Sequence, residues 1–240
     1  MLPIYCLSFQ NEIREKRMRD AFASLDLEVQ MCKGVDPMDS RILGRPLESN
    51  AVRTWSTCYG HLDMIREFLT SEQEMGIFCE DDIIIRKDFG ERLPQIAGHF
   101  RELGLDILLF GFLCDNDIRR HSNFPEKNIR LSKDFPFRYY DYCVRPESGV
   151  WGTQMYMLSR EHALELCEKY EDYADQTINC GMTPFSSDWI ITKTAKNRAL
   201  IYPLMVIEDG RSKYTDLGQD QTRTRCFDFS YTEELFGSMD

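Results

Sequence analysis

Gly76-Ile77-Phe78-Cys79-Glu80-Asp81-Asp82-Ile83-Ile84-Ile85 sets three consecutive carboxylates between two apolar runs. Ile77 and Phe78 before the acids, and Ile83 to Ile85 after them, have the composition of buried strand. Charge is costly there, because a buried carboxylate needs a cation or hydrogen bonds to compensate it. Two readings stand side by side. In one the acids mark an exposed strand end and turn; in the other they gather a hard divalent cation, Mg²⁺ or Mn²⁺, which takes oxygen ligands and leaves room for phosphates and water.

Around that stretch, strand-like and helix-like segments alternate. Leu2 to Leu7 is an apolar run suited to a central strand, Ser8 to Glu12 breaks it, and Ile13, Met18, Phe22 and Leu25 follow at largely helical spacing. Arg14 and Arg17 fall in the first turns of that helix, at the carboxyl end of a strand, where open α/β sheets bind ligands. They face an anion there or belong to a solvated helix face. A second strand is expected over Glu28 to Lys33. Asp36 at its exit either accepts hydrogen bonds from a nucleoside or starts a local turn before Pro37. Residues 37 to 52 read as loop, and Trp55, Tyr59, Leu62, Ile65 and Leu69 then mark a helix that includes His61, a residue usually structural in such a place.

After the acidic stretch, Phe89, Leu93, Ile96, Phe100 and Leu103 step by four and three as one helix face, and Gly104 ends it. Asp106 to Phe110 is the next strand. Residues 111 to 148 lose the period and are the candidate acceptor-side region. Gly152 to Ser159 alternates like a strand, with Ser159 capping a helix from Arg160 in which Glu161 and His162 are expected at the surface. Ser186 to Ile191 opens a short helix with Asp188 near its start, a helix cap on the plain reading. Ala199 to Val206 is a last apolar strand, which Pro203 confines to an edge or ends early. The order defines an α/β fold: one domain over residues 1–217 with a mixed, mainly parallel sheet flanked by helices. Residues 218–240 form a C-terminal tail, packed on the domain or partly disordered.

Composition narrows the partners. A formal net charge of −11 over 240 residues disfavours a general binder of nucleic acid or anionic membrane. Nine scattered Cys without a CxxC pair read as reduced thiols, no run of apolar residues reaches membrane-spanning length, and the N-terminus lacks a signal-peptide pattern, so a cytoplasmic protein without an integral membrane segment is expected.

Taken in order, Ile4-Tyr5-Cys6-Leu7 with Arg14 and Arg17, Gly34-Val35-Asp36, Gly60-His61-Leu62, Phe78-Cys79-Glu80-Asp81-Asp82, Gly152 to Ser159 before a helix with Ala163, Asp188-Trp189, Tyr202-Pro203 and Thr215-Asp216-Leu217 resemble glycosyltransferase family 25. That group includes lipopolysaccharide-synthesis and procollagen galactosyltransferases. The resemblance spans most of residues 2 to 217. It implies a GT-A type, Rossmann-like nucleotide-sugar fold and metal-dependent inverting transfer of a sugar, galactose or glucose, from a UDP-sugar to a hydroxyl of a glycan or glycoprotein.

Carried over by position, Asp82 and Glu80 would serve the metal. Ser8, Arg14, Arg17, Asp36, His61, Asp81 and Arg211 would serve the donor. Gly152, Thr153, Gln154, Trp189 and Asp216 would line the acceptor side or pocket, with Asp188 as the base. The chain departs from the family at Leu7-Ser8-Phe9, where Asn-Leu-Asp is common, at Gly60, where Ser is common, and in having no His after His162; Asp209, Asp216 or water would take that ligand position. Two rival functions are a catalytically silent nucleotide-sugar- or glycan-binding module and a metal-dependent phosphohydrolase or nucleotidyltransferase.

Overall fold

The computed structural model describes residues 2–47, 49–142, 150–180, 185–210 and 217–238. In chain order the elements are β1 (Ile4–Ser8), α1 (Glu12–Ala23), β2 (Gln30–Lys33), α2 (Ser49–Leu69), β3 (Met75–Glu80), β4 (Ile83–Ile85), α3 (Phe89–Glu102), β5 (Ile107–Gly111), β6 (Arg138–Tyr140), β7 (Met155–Ser159), α4 (Arg160–Cys180), α5 (Ser187–Ile190), β8 (Arg198–Tyr202), β9 (Val206–Glu208), α6 (Leu217–Ser230) and α7 (Glu233–Phe236). Seven strands form one sheet in the order β2-β1-β3-β7-β5-β8-β6, and β4 pairs with β9 in a separate two-stranded ribbon. Within the large sheet β7 and β6 run against the other five.

The strands read as continuous apolar runs because both faces of the sheet are covered. Along β1, Ile4 and Cys6 pack with Met18 and Phe22 of α1 and with Phe89, Leu93, Ile96 and Phe100 of α3. Tyr5 and Leu7 point the other way, into the layer built by Trp55, Tyr59, Leu62 and Ile65 of α2, Ala163 and Leu166 of α4 and Ile190 of α5. The period-two alternation of β1 thus becomes a three-layer α/β/α core. The tail is helical, with Phe236 buried in the second layer and Phe227 packed on it.

Connectivity places the ligand end of the sheet. From β1 the chain crosses through α1 to β2 on one side; from β2 it returns through α2 to β3 on the other side of β1. The crossover direction therefore reverses between β1 and β3. A crevice opens outside the carboxyl ends of two strands wherever that happens, since their connections leave in opposite directions. Ser8 and Glu80 are the last residues of those two strands.

Several expectations need correction. Ile13 is 84% exposed, because the inward face of α1 carries Met18 and Phe22, with Arg14 one turn before Met18 on that side and Arg17 half-buried next to it. Of the two outcomes expected at Pro203 the second holds: β8 lies inside the sheet between β5 and β6 and ends at Tyr202. His162 is buried at 2% exposure, beside Ala163 and Leu166 on the inward face of α4. Ser159 does cap that helix, its hydroxyl accepting from the His162 N–H at 3.2 Å. Regular pairing in β7 begins only at Met155, which leaves residues 152–154 ahead of it outside the strand. In the 111–148 region the described part supplies β6 and the buried rings of Phe135, Phe137 and Tyr139, which pack with α3.

Candidate functional site

Glu80, Asp81 and Asp82 occupy the crevice between β1 and β3, at the turn into β4. They line a cleft of about 440 Å³ with Leu7, Phe9, Arg14, Val35, Pro37, Arg53 and Thr57. Compensation for the acids comes from the elements that connectivity brings to this end. Ser8, ending β1, donates its hydroxyl to Asp81 Oδ2 at 2.6 Å. Asn11 caps α1 by accepting the Arg14 N–H at 3.1 Å, so the helix starts just below the acids. Arg14 Nη1 then lies 3.1 Å from Asp81 Oδ1 and 3.7 Å from Asp82 Oδ2. One turn on, Arg17 donates to Asp209 Oδ2 at 2.8 Å and to the Asp81 carbonyl at 2.9 Å. Both arginines are half-buried and paired with acids.

A second acidic pair joins from β9. The Asp209 N–H donates to the Asp82 carbonyl at 2.7 Å, and Glu208 sits across the ribbon from Ile83. Arg223, on α6, reaches Glu208 Oε1 at 3.0 Å, so the C-terminal helices contribute to this end of the sheet. Burial and the nearby Asp82 carboxylate push the Glu208 carboxyl up to about 7. Val206-Ile207-Glu208-Asp209 repeats the pattern of an apolar run ending in consecutive acids, a signal that could have marked it beside 77–82. Nothing local in the sequence marks Arg223.

Glu80 is held by partners from other elements. Its Oε1 accepts from Thr153 Oγ1 at 2.7 Å and lies 3.3 Å from Nε2 of the fully buried His61, whose Nδ1 is 2.8 Å from the Tyr156 hydroxyl. Burial alone would raise the Glu80 carboxyl, but the His61 and Thr153 contacts more than offset it and hold it below the usual range. Glu80 on β3 and Tyr156 on β7 thus occupy the two ring nitrogens of His61 and fix its orientation.

Asp188, in the first turn of α5, accepts the Gly152 N–H on Oδ1 at 2.6 Å. The N-cap of that helix is Ser186, and the Asp188 carboxylate is engaged with Gly152 of another segment. Burial, then the nearby Glu80 charge, raise its carboxyl from 3.8 to about 6, against the opposing pull of the Gly152 N–H, His61 and Lys193. Trp189 is half-buried beside it, and Lys193 Nζ lies 3.6 Å over the Trp151 ring and 5.0 Å from that of Trp189. Gly152 has φ +112, where a side chain is strained, and a Cβ there would also overlap the Gln154 amide. Gln154 donates to Glu208 Oε2 at 3.2 Å.

The structure thus gathers Ser8, Arg14, Arg17, His61, Glu80, Asp81, Asp82, Gly152, Thr153, Gln154 and Asp188 at one end of the sheet. Asp36 does not join them. It is exposed, and its Oδ1 accepts the Met38 N–H at 2.8 Å, so it shapes its own turn while Val35 and Pro37 line the cleft. Arg211 and Asp216 lie outside the described residues. Gly60 has a packing reason: a Cβ there would meet Leu7 Cδ2 at 3.0 Å, where α2 crosses β1.

No group of three or more His, Cys, Asp or Glu among the described residues is arranged to hold a metal ion. The donor set nonetheless suits a hard divalent cation of the kind that one or two carboxylates and substrate phosphates hold together. Asp82 is buried and Glu208 half-buried, and burial with the nearby Asp82 drives Glu208 toward protonation. The α/β fold and this site define a protein whose switch-point cleft is lined by carboxylates with arginines beside them. No family model matches the sequence, and no curated protein matches it significantly. Among the described residues no helix is long and apolar enough to cross a membrane.

Proposed function

We propose that the chain is a metal-dependent inverting glycosyltransferase of GT-A type, transferring galactose or glucose from a UDP-sugar to a hydroxyl of a glycan or glycoprotein. One observation carries the reading. Two kinds of carboxylate meet at one end of the sheet: Glu80 is held ionised by His61 and Thr153, while Asp188 is raised to about 6. Paired acids pushed apart by their surroundings suit divided roles, and a base titrating near neutrality can take a proton at working pH.

Arg14 and Arg17 would turn their guanidinium groups to the diphosphate, whose charge they match bidentately. Asp82, with Glu80 or Asp81, would hold Mn²⁺ or Mg²⁺, which when bound neutralises charge growing on the leaving diphosphate. Asp188 Oδ1 is fixed by the Gly152 N–H, so Oδ2 is the oxygen that would receive the acceptor's proton. The attack then comes on the face of the sugar opposite the leaving group, and configuration inverts.

The test is donor turnover with a panel of nucleotide sugars and Mn²⁺, with and without added glycans. Nucleotide release from one or a few donors is expected even without acceptor, through slow transfer to water. A silent binding module releases none, and a phosphohydrolase or nucleotidyltransferase breaks a phosphate linkage instead of the sugar–oxygen bond.

A narrower expectation concerns the basic helix. Arg14→Ala should weaken UDP binding in Mn²⁺ roughly tenfold, about 1.4 kcal/mol, with a comparable or smaller loss for Arg17→Ala, measured by calorimetry. Losses below about twofold in both would return the two arginines to a purely structural role in compensating Asp81 and Asp209.

A further inference from the structure

Residues 152–154 each hold a different acid. The Gly152 N–H donates to Asp188, the Thr153 hydroxyl to Glu80, and the Gln154 side-chain amide to Glu208, while the Gln154 carbonyl accepts the Glu80 N–H at 3.0 Å. These three residues precede β7, and β7 pairs antiparallel with β3, Met155 opposite Cys79. The antiparallel strand therefore delivers its first residues to the carboxyl end of β3. A parallel strand in that position would have delivered its last ones.

Thr153 is the centre of this segment. It is buried at 2% exposure, and its Oγ1 lies 2.7 Å from Glu80 Oε1 and 2.9 Å from the hydroxyl of Ser187, itself buried. A threonine hydroxyl has one proton to give, and an ionised carboxylate has none. Thr153 must therefore donate to Glu80, which leaves Ser187 to donate to Thr153. Ser187 is the first residue of α5, and Asp188 is the next. The polar chain runs from the helix that carries Asp188, through the hydroxyls of Ser187 and Thr153, to the acid that ends β3.

We infer that Thr153 is a positioning residue: its hydroxyl sets the spacing between the donor-side acid Glu80 and the acceptor-side base Asp188 by tying Glu80 to the start of α5. This rests on the transferase reading above. A base acts only when it lies within hydrogen-bond reach of the proton it takes, and a displacement of an ångström costs turnover more than it costs binding. Donor affinity draws chiefly on Arg14, Arg17 and Asp82, and Thr153 reaches the cleft only through Glu80, so removal of the hydroxyl should cost turnover far more than affinity.

The experiment compares wild type, Thr153→Val, Thr153→Ser, Ser187→Ala and the Thr153→Val/Ser187→Ala double variant. Turnover and KM are measured with the nucleotide sugar that the wild type uses, UDP affinity in Mn²⁺ by calorimetry, and melting temperature by fluorescence. Thr153→Val is expected to lower kcat roughly 30-fold or more with KM and UDP affinity within threefold, and Thr153→Ser to return kcat to within about threefold of wild type. If the two hydroxyls form one chain, the double variant is no slower than the worse single variant.

Full turnover in Thr153→Val overturns the inference and leaves the transferase reading intact. So does a parallel loss of kcat and UDP affinity that serine does not restore, or multiplicative losses in the double variant. Absence of nucleotide release by the wild type from every donor removes the reading itself, and the positioning role with it. Should Thr153→Val fail to fold, Ser187→Ala alone decides, since it cuts the same chain and leaves Thr153 in place.

Discussion

Asp188→Asn is expected to lower turnover by roughly 10² to 10⁴ while UDP affinity and fold are retained. Asparagine keeps the shape and can still accept the Gly152 N–H through Oδ1, but it cannot take a proton. Turnover, affinity and melting temperature are the measurements, together with the anomeric configuration of the wild-type product. Near-normal turnover, or retention of configuration, would leave Asp188 a structural acceptor for Gly152. The pH profile offers a second check. With the carboxyl raised to about 6, wild-type turnover should climb as pH rises through about 6 and level above it, and that limb should be missing from the residual activity of the variant.

Stability should move the other way. A carboxyl whose midpoint is higher in the folded chain than in the unfolded one binds its proton more tightly when folded, so ionising it weakens the fold. That loss develops between pH 3.8 and about 6 and is complete above. Asp188→Asn removes it, and a melting temperature at pH 7.5 equal to or above that of the wild type is the expected outcome. A large fall would mean that the carboxylate contributes contacts beyond the one with Gly152.

Asp82→Ala is expected to abolish Mn²⁺-dependent nucleotide binding, a loss of roughly hundredfold or more, because a single carboxylate is a large part of the charge that holds such an ion beside a diphosphate. Calorimetry with UDP in Mn²⁺ and in chelator measures it. Equal wild-type affinity in the two conditions, or an active Asp82→Ala, would remove the metal role. The fold should survive: the Asp82 contact that ties β4 to β9 is made by its backbone carbonyl, and losing the carboxylate relieves the burdened Glu208.

The elements of this chain were legible because their signals are local. The apolar run of Leu2 to Leu7, the four-and-three steps from Phe89 to Phe100 and the Ser159 cap each follow from backbone geometry over a few residues. The acid triplet was legible for the same reason, since its oddity lies in its immediate neighbours. Ile13 and His162 were misplaced because helical spacing gives a period but not the face. Which side of α1 or α4 turns inward depends on what packs against it.

The sequence by itself determined the α/β alternation, the apolar strands, the helices between them and the placing of Glu80-Asp81-Asp82 at a strand end. Only the tertiary structure decided what those acids meet. Arg17 and Asp209 are 192 residues apart and Thr153 and Glu80 are 73 apart, separations over which no periodicity carries information. They touch because the crossovers reverse at β1 and β3, because β7 enters antiparallel, and because β9 folds back on β4. Strand order and direction are properties of the whole sheet, fixed by which apolar faces are buried together, and from them the cleft, the two arginines and the distinct surroundings of Glu80 and Asp188 all follow.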